Sequence, residues 1–562
     1  MVLSGRRAAR LASCAIVGIL SGSAVAPRPA AAQFLCGRAG TYAVSSGNVT
    51  VSDGGATANG NPDNFACGSS ANASGVNSAN IASGATANAS GSLSANIATG
   101  FAANASGSGT GSGNSTSSNN IAVGGLTNAS GDSSINVATG FQANASGNGS
   151  NNVATGRLAN ASGANSNNTA YGTAANAGGA NSQNSATGNF ANASGAGSAN
   201  IAIGNNANAR GAGVNNTAVG TNSIATGANS SAFGTGAQAL GSQSAAFGFG
   251  SGANGSNSIA AGASNTVTGD NSGAFGTGQT VTGNGSFGIG DPNTINGNGT
   301  FVLGNNNTVN GPNVAGNGDN IQVVGSNNTI ASTASAAGSS VFGLGNTVNA
   351  TNAVVMGNSN TVTGANGIAI GNGSSVAGAN GVAIGTSASA GFANSAAVGN
   401  GATATRANQQ VFGTASNTYT MSGVTSAASA AAQTGPTQIV TSDAGGNLAT
   451  TTLAGLGLAS SADISAINSQ LAGINNRLDD LTNRTNKAYT GVAMAFAMAG
   501  VPTLMPNENF AITMNWGNFQ SANGLALNAA VRLDNHVQLN GGIGYGANQN
   551  LVGGRVGLRF GW

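Results

Sequence analysis

Charge is what this chain has least of: Asp, Glu, Lys and Arg make up 5% of its 562 residues, against roughly a quarter in an ordinary soluble protein. A single histidine, His536, serves the whole length. That excludes histidine metal sites and any Ser/His/Asp arrangement upstream of it. Aromatics stand at 4%, and there are 8 prolines and 3 cysteines. Glycine is abundant at 94 residues, but without the strict third-residue period of a collagen, and 40% hydrophobic residues are too many for a solvated linker. A neutral, repetitive chain remains.

The formal charge of +2 falls to −2 once Arg6, Arg7, Arg10 and Arg28 are set aside. They lie in residues 1–32, where a basic start, an apolar stretch over 11–20 and the small residues Ala30, Ala31 and Ala32 read as a secretory signal peptide. A lipoprotein-type box ends at Cys14, yet it opens the apolar stretch where such a box should close it, which favours a plain small residue of the leader. Cys36 and Cys67 then remain in an exported chain, and two thiols in an oxidising compartment are expected to pair. The alternative is two separate buried thiols in an N-terminal module over 33–77.

Internal periodicity organises the rest of the chain. The unit Asn80-Ile81-Ala82-Ser83-Gly84 recurs at Asn96, Asn120, Asn136, Asn152, Asn168, Asn184, Asn200 and Asn216, in steps of 16 from Asn120 onward. After Gly220 the period becomes 14, at Gly234, Gly248, Gly262, Gly276, Gly290 and Gly304, and it resumes from Gly343 to Gly413. Units this short cannot bury a face alone, so they must stack as turns of a solenoid over 78–413. About 22 turns at roughly 4.8 Å give a rod of about 100 Å. Within a turn, alternation sends Ile201 and Ile203 one way and Ala202 the other. The expectation is that Ile201, Ile203, Ile368, Ile370, Val382 and Ile384 fill the coil while the Asn and Ser turn residues stay solvated.

Between Ser78 and Thr405 the only charges are Asp132, Arg157, Arg210, Asp270, Asp291 and Asp319. Six isolated charges assemble no catalytic cluster, and the Gly-Gly-x-Gly-x-Asp motif of calcium-binding rolls does not recur. No enzyme activity, cofactor, metal or nucleic-acid partner is therefore expected. A flat-lattice coil is suggested by Thr99, Thr139, Thr155 and Thr187, but Val123, Tyr171, Ile203 and Val219 break that array.

Past Gly413 the repeats stop, and 414–459 is a polar connector whose alternation over 435–449 suggests short strands. Ser460 and Asp463 then match a capping box. Ile464, Ile467, Leu471, Ile474, Leu478 and Leu481 come next at spacings of 3 and 4, a heptad seam whose Ile/Ile and Leu/Ile pairs favour three or four strands over two; the alternative is one amphipathic helix lying on a globular core. This stalk and a pore helix span 460–500. In 501–562 the pattern turns to period two: Phe510, Ile512, Leu525, Leu527, Val556, Leu558, Phe560 and Trp562 on an apolar face, Arg555 and Arg559 on the other. Strands with lipid-facing apolar residues and pore-facing polar ones are the signature of an outer-membrane barrel. Four strands cannot close one; three chains supply twelve.

In this order of elements, from signal peptide through Gly367-Ile368-Ala369-Ile370-Gly371 type repeats to four terminal strands, the chain resembles the YadA-like trimeric autotransporter adhesins of Gram-negative bacteria. The resemblance implies a mostly β fold: a trimeric left-handed parallel β-roll head, a short trimeric coiled-coil stalk and a 12-stranded barrel anchor. It also implies a homotrimer held in outer-membrane lipid, inserted by the barrel-assembly machinery, that exports and displays its own head to bind a host surface, matrix ligand or abiotic surface. A protective surface fibre without a dedicated receptor is the alternative. The 16-residue units, the short stalk and the Cys36/Cys67 module depart from the family pattern, which leaves the receptor unassigned.

Overall fold

The computed structural model describes residues 55–110 and 117–562, together with the backbone of strands Leu35–Cys36, Tyr42–Ser45 and Asn48–Val51. The expected leader over 1–32, Cys14 included, lies outside the described residues. The chain divides into two compact units, Met1–Thr418 and Tyr419–Trp562.

The first unit is a long parallel β-solenoid. Each 16-residue turn supplies one three-residue strand, and successive strands pair in register, as in Ile201↔Thr217, Ala202↔Ala218 and Ile203↔Val219. The backbone has nowhere else to satisfy its polar groups, so each turn bonds to its neighbours: the Ile81 amide donates to the Asn96 carbonyl at 2.8 Å. Among the described residues, 24 strands join one parallel sheet, and from Ile224–Ala225 onward a second sheet of 13 strands runs alongside. Pairing extends upstream of Ser78. Phe65–Cys67 pairs with both Ile81–Ser83 and Leu35–Cys36, so these parts of 33–77 join the coil's own sheet.

The coil is filled by alanine, and this corrects the expected orientation. Ala82, Ala98, Ala170, Ala202, Ala369 and Ala383 are wholly buried, whereas Ile201 is 38% and Ile203 43% exposed. Ile384 also points outward, and Ile368, Ile370 and Val382 are only partly covered. A one-strand-per-turn cross-section is filled by further alanine columns, such as Ala87, Ala103 and Ala143 or Ala89, Ala105 and Ala145, and leaves no volume for a branched side chain. Where the second sheet widens the coil, Val267, Val281, Ile295, Val309 and Ile330 take over the core. Gly288 makes room for Ile295: a Cβ there would stand 2.9 Å from its Cδ1.

The turn residues also depart from expectation. Asn80, Asn96, Asn120, Asn136, Asn152, Asn168 and Asn200 are fully buried. Each side-chain carbonyl accepts from the backbone amide of the corresponding Asn on the next turn, as Asn168 does from Asn184 at 3.0 Å. Each side-chain amide donates to a glycine carbonyl, Asn168 to Gly179 at 2.8 Å. A buried amide is stable only when satisfied in this way. At Gly204, φ is +130°, and a Cβ would sit 2.6 Å from the Gly220 carbonyl oxygen on the next turn. Glycine is needed there on both grounds.

The second unit contains the hairpin Ile439–Ser442 with Leu448–Thr451, the 39-residue helix Ser461–Ala499 and an antiparallel sheet of four strands, Phe510–Phe519, Ala522–Asp534, Val537–Gly546 and Leu551–Phe560, in sequence order. The helix opens with the expected capping box: Asp463 donates its amide to the Ser460 hydroxyl at 3.2 Å, and the Ser460 amide donates to the Asp463 carboxylate at 2.8 Å.

Candidate functional surfaces

Three apolar surfaces lie open on the single chain. On the outer face of the longer solenoid sheet, Phe233, Phe247, Phe275, Ile289, Leu303 and Phe342 form an exposed stripe. Register sets them one above another, and the Phe233 and Phe247 rings stack with centroids 5.4 Å apart and planes 3° from parallel. On the long helix, Ile464, Ile467, Leu471, Ile474, Leu478 and Leu481 are all exposed, so the heptad seam is uncovered among the described residues.

The four-stranded sheet carries the third. Its register aligns Phe510, Val531, Leu539 and Leu558 in one row and Ile512, Ala529, Gly541 and Val556 in another. A shallow apolar hollow of about 680 Å³ lies among Phe510, Ile512, Leu527, Ile543 and Val556. Leu525, Phe560 and Trp562 are exposed as well. The opposite face is floored by small and polar residues and receives the last turns of the helix: Cβ atoms on Gly517, Gly524 and Gly546 would press into Ala493, Met494 and Thr490. Met494 and Ala497 are buried there, and the Phe496 ring meets Phe519 edge-on at 5.8 Å. On that polar face Arg555 donates to the Asn540 side-chain oxygen at 2.8 Å. Arg559 lies four residue pairs further along the same register, opposite Gln538. The Asn528 side-chain oxygen is buried there without a partner.

Phe510–Phe519 and Leu551–Phe560 are the first and last strands of this sheet, and each pairs on one side only. Such edges are templates for further pairing. Cys36 and Cys67 are register partners in adjacent parallel strands, a separation of about 4.8 Å between strands that falls within the Cα range of disulfides.

No group of three or more His, Cys, Asp or Glu residues is placed to hold a metal among the described residues. A polar hollow of about 340 Å³ between Ser90, Ser106, Ser130 and Asn148 contains one carboxylate, Asp132, which accepts the Ser108 amide at 2.8 Å. No helix of the described residues is long and apolar enough to cross a membrane.

Sequence reasoning missed one ordered feature. On the outer face of the shorter sheet, Thr266, Thr280, Thr294, Thr308, Thr329, Thr347 and Thr361 stand in register on consecutive strands, continued by Ser375, Ser389 and Thr403. The signal was present as Asn-Thr-Val at 265–267, 307–309, 346–348 and 360–362. No known protein-family model matches the chain.

Proposed function

We propose that this protein is a homotrimeric, non-enzymatic surface adhesin of the YadA-like autotransporter kind, anchored in the outer membrane of a Gram-negative bacterium by a 12-stranded barrel to which each chain gives four strands. The observation that carries this reading is the four-stranded sheet with two unpaired edges, an apolar outer face and a helix on its small-residue face. A sheet this size with open edges does not stand alone, and joining the edges of three copies removes them all. The uncovered seam from Ile464 to Leu481 supports the same number, since its core pairs favour three or more strands. The stripe from Phe233 to Phe342 gives the head an apolar face for the same partners. On this reading the solenoid is the displayed, attaching part, and a Cys36–Cys67 bridge closes its first turn. The head's near-absence of charge also suits a protective fibre without a receptor; saturable binding of cells or matrix proteins to the displayed head separates the two.

The decisive experiment is the mass of the full chain purified from membranes in detergent. Three copies per particle, resistant to mild denaturation and dispersed by Ile467→Asp with Ile474→Asp, is the expected result, because three carboxylates would be buried in each layer. A folded monomer would overturn the reading.

A further inference from the structure

On the shorter sheet the outward position begins as Ile224, Gln238 and Gly252, and from Thr266 onward it carries a hydroxyl on every strand. The equivalent outward position on the longer sheet runs Ser231, Ala245, Ile259, Gly273, Phe287, Phe301, Gln322 and Ser340 over successive turns. The column from Thr266 to Thr403 keeps a hydroxyl on ten strands in succession. It holds across the steps Thr308↔Thr329 and Thr329↔Thr347, where the turns are lengthened to 21 and 18 residues. Strand propensity alone explains threonine, but it explains valine equally. Ser375 and Ser389 drop the β-branch and retain the hydroxyl, so the hydroxyl is the shared property.

Thr403, at the end of the column, donates its hydroxyl to the Gly401 carbonyl at 3.3 Å, but the threonines before it are unspent. Among the described residues, none of the seven threonines from Thr266 to Thr361 has its hydroxyl engaged by another protein group. All are at least partly exposed, with no charged or aromatic residue in the column. Nine steps of about 4.8 Å make an array roughly 43 Å long. Tetrahedral water with O···O contacts near 2.75 Å places next-nearest oxygens about 4.5 Å apart, close to the strand repeat. A column of this pitch can therefore stand in for a row of a hydrogen-bonded water lattice, each hydroxyl both donating and accepting. A sugar chain would ordinarily draw on stacking aromatics or charged partners, and this column has none.

We propose that the hydroxyl column is a docking strip for an ordered water lattice, the face of an ice crystal. The inference does not depend on the number of subunits or on membrane anchoring, so it can fail while the adhesin reading stands. The test is partition of the full chain, purified in detergent, into a slowly growing ice front, compared with Thr308→Val, Thr329→Val and Thr347→Val combined. Valine keeps the β-branch and the fold, which the melting curve verifies. The chain should enrich in ice at least fivefold over a detergent-solubilised barrel protein without a solenoid, and the triple variant should lose most of that enrichment. Thr139→Val, Thr155→Val and Thr187→Val on the other sheet should leave it unchanged. Exclusion of the wild-type chain from ice, or equal enrichment of the column variant, would overturn the proposal. So would threonine-dependent binding to microcrystalline cellulose without ice enrichment, which would assign the strip to a glycan.

Discussion

The side-chain oxygen of Asn168 receives two hydrogen bonds from the following turn, the Asn184 backbone amide at 3.0 Å and the Ser182 hydroxyl at 2.9 Å. Asn168 thereby ties two turns together inside a core of alanines, where burial alone contributes little per residue. Replacing it with leucine would strand the Asn184 amide and add a side chain for which the coil has no room. Each buried group left unpaired costs about 1–3 kcal/mol. Asn168→Leu should lower the denaturation midpoint of the solenoid markedly and accelerate hydrogen exchange at Ser185 and Thr169. Asn380 is a milder position: it is exposed, sits at φ +55° and bonds to Asn394 at 2.9 Å. Asn380→Gly keeps the left-handed backbone free of strain and should cost much less than Asn168→Leu.

The inversion of faces around Ala202 leads to a second test. Ala202→Leu forces a branched side chain into a full column and should destabilise the coil by about 1–3 kcal/mol or more. Ile203→Ser removes only outward apolar surface, so its effect on a dispersed chain should stay within about 0.5 kcal/mol. Comparing denaturation midpoints of the two variants separates the orientations. A larger loss from Ile203→Ser would restore the orientation first expected from the sequence.

These residues also show how far the sequence could be read. The turn length of 16 then 14, the 3,4 spacing from Ile464 to Leu481, the Ser460/Asp463 cap and the period-two strands are one-dimensional patterns, and the structure has a solenoid, a helix and four strands at those places. Which alternate set faces inward is not one-dimensional. Both Ala202 and its isoleucine neighbours are apolar, and the choice depends on a cross-section that only the stacked turns define. The buried role of Asn80 and its successors was hidden because asparagine in a Gly-rich turn also suits an exposed left-handed position, as Asn380 does. The threonine column escaped because it contributes one residue per turn within strands of only two or three residues, such as Thr266–Val267.

Asp463 gives the long helix a pH dependence of known sign. Its carboxyl is held below the ordinary carboxylate range by hydrogen bonds from the Ser460 amide and then the Ser460 hydroxyl. A depressed folded pKa means that the cap's contribution is complete above the unfolded value and is lost as pH falls through the folded one. Helical signal from the full chain should therefore weaken as pH falls through and below the ordinary carboxylate range, more in the wild type than in Asp463→Asn. At neutral pH the variant should begin with the weaker first turn. Identical acid limbs for the two proteins would show that the cap does not contribute.

The terminal strand decides whether the four-stranded sheet is a membrane anchor. Register places Val556 in the apolar row with Ile512, Ala529 and Gly541, while Arg555 lies on the helix-bearing face against Asn540. A guanidinium on a lipid-facing position costs about 2–4 kcal/mol at mid-membrane depth, multiplied by three if three copies share one barrel. Val556→Arg should deplete the protein from the outer-membrane fraction and remove solenoid epitopes from intact cells. Arg559→Gln, which changes only the polar face, should leave both near wild type. Deleting Phe560, Gly561 and Trp562 shortens the last strand and removes the closing aromatics, and should be as severe as Val556→Arg. Wild-type surface levels of the solenoid from either the Val556→Arg or the truncated chain would mean that these strands do not hold it in the membrane.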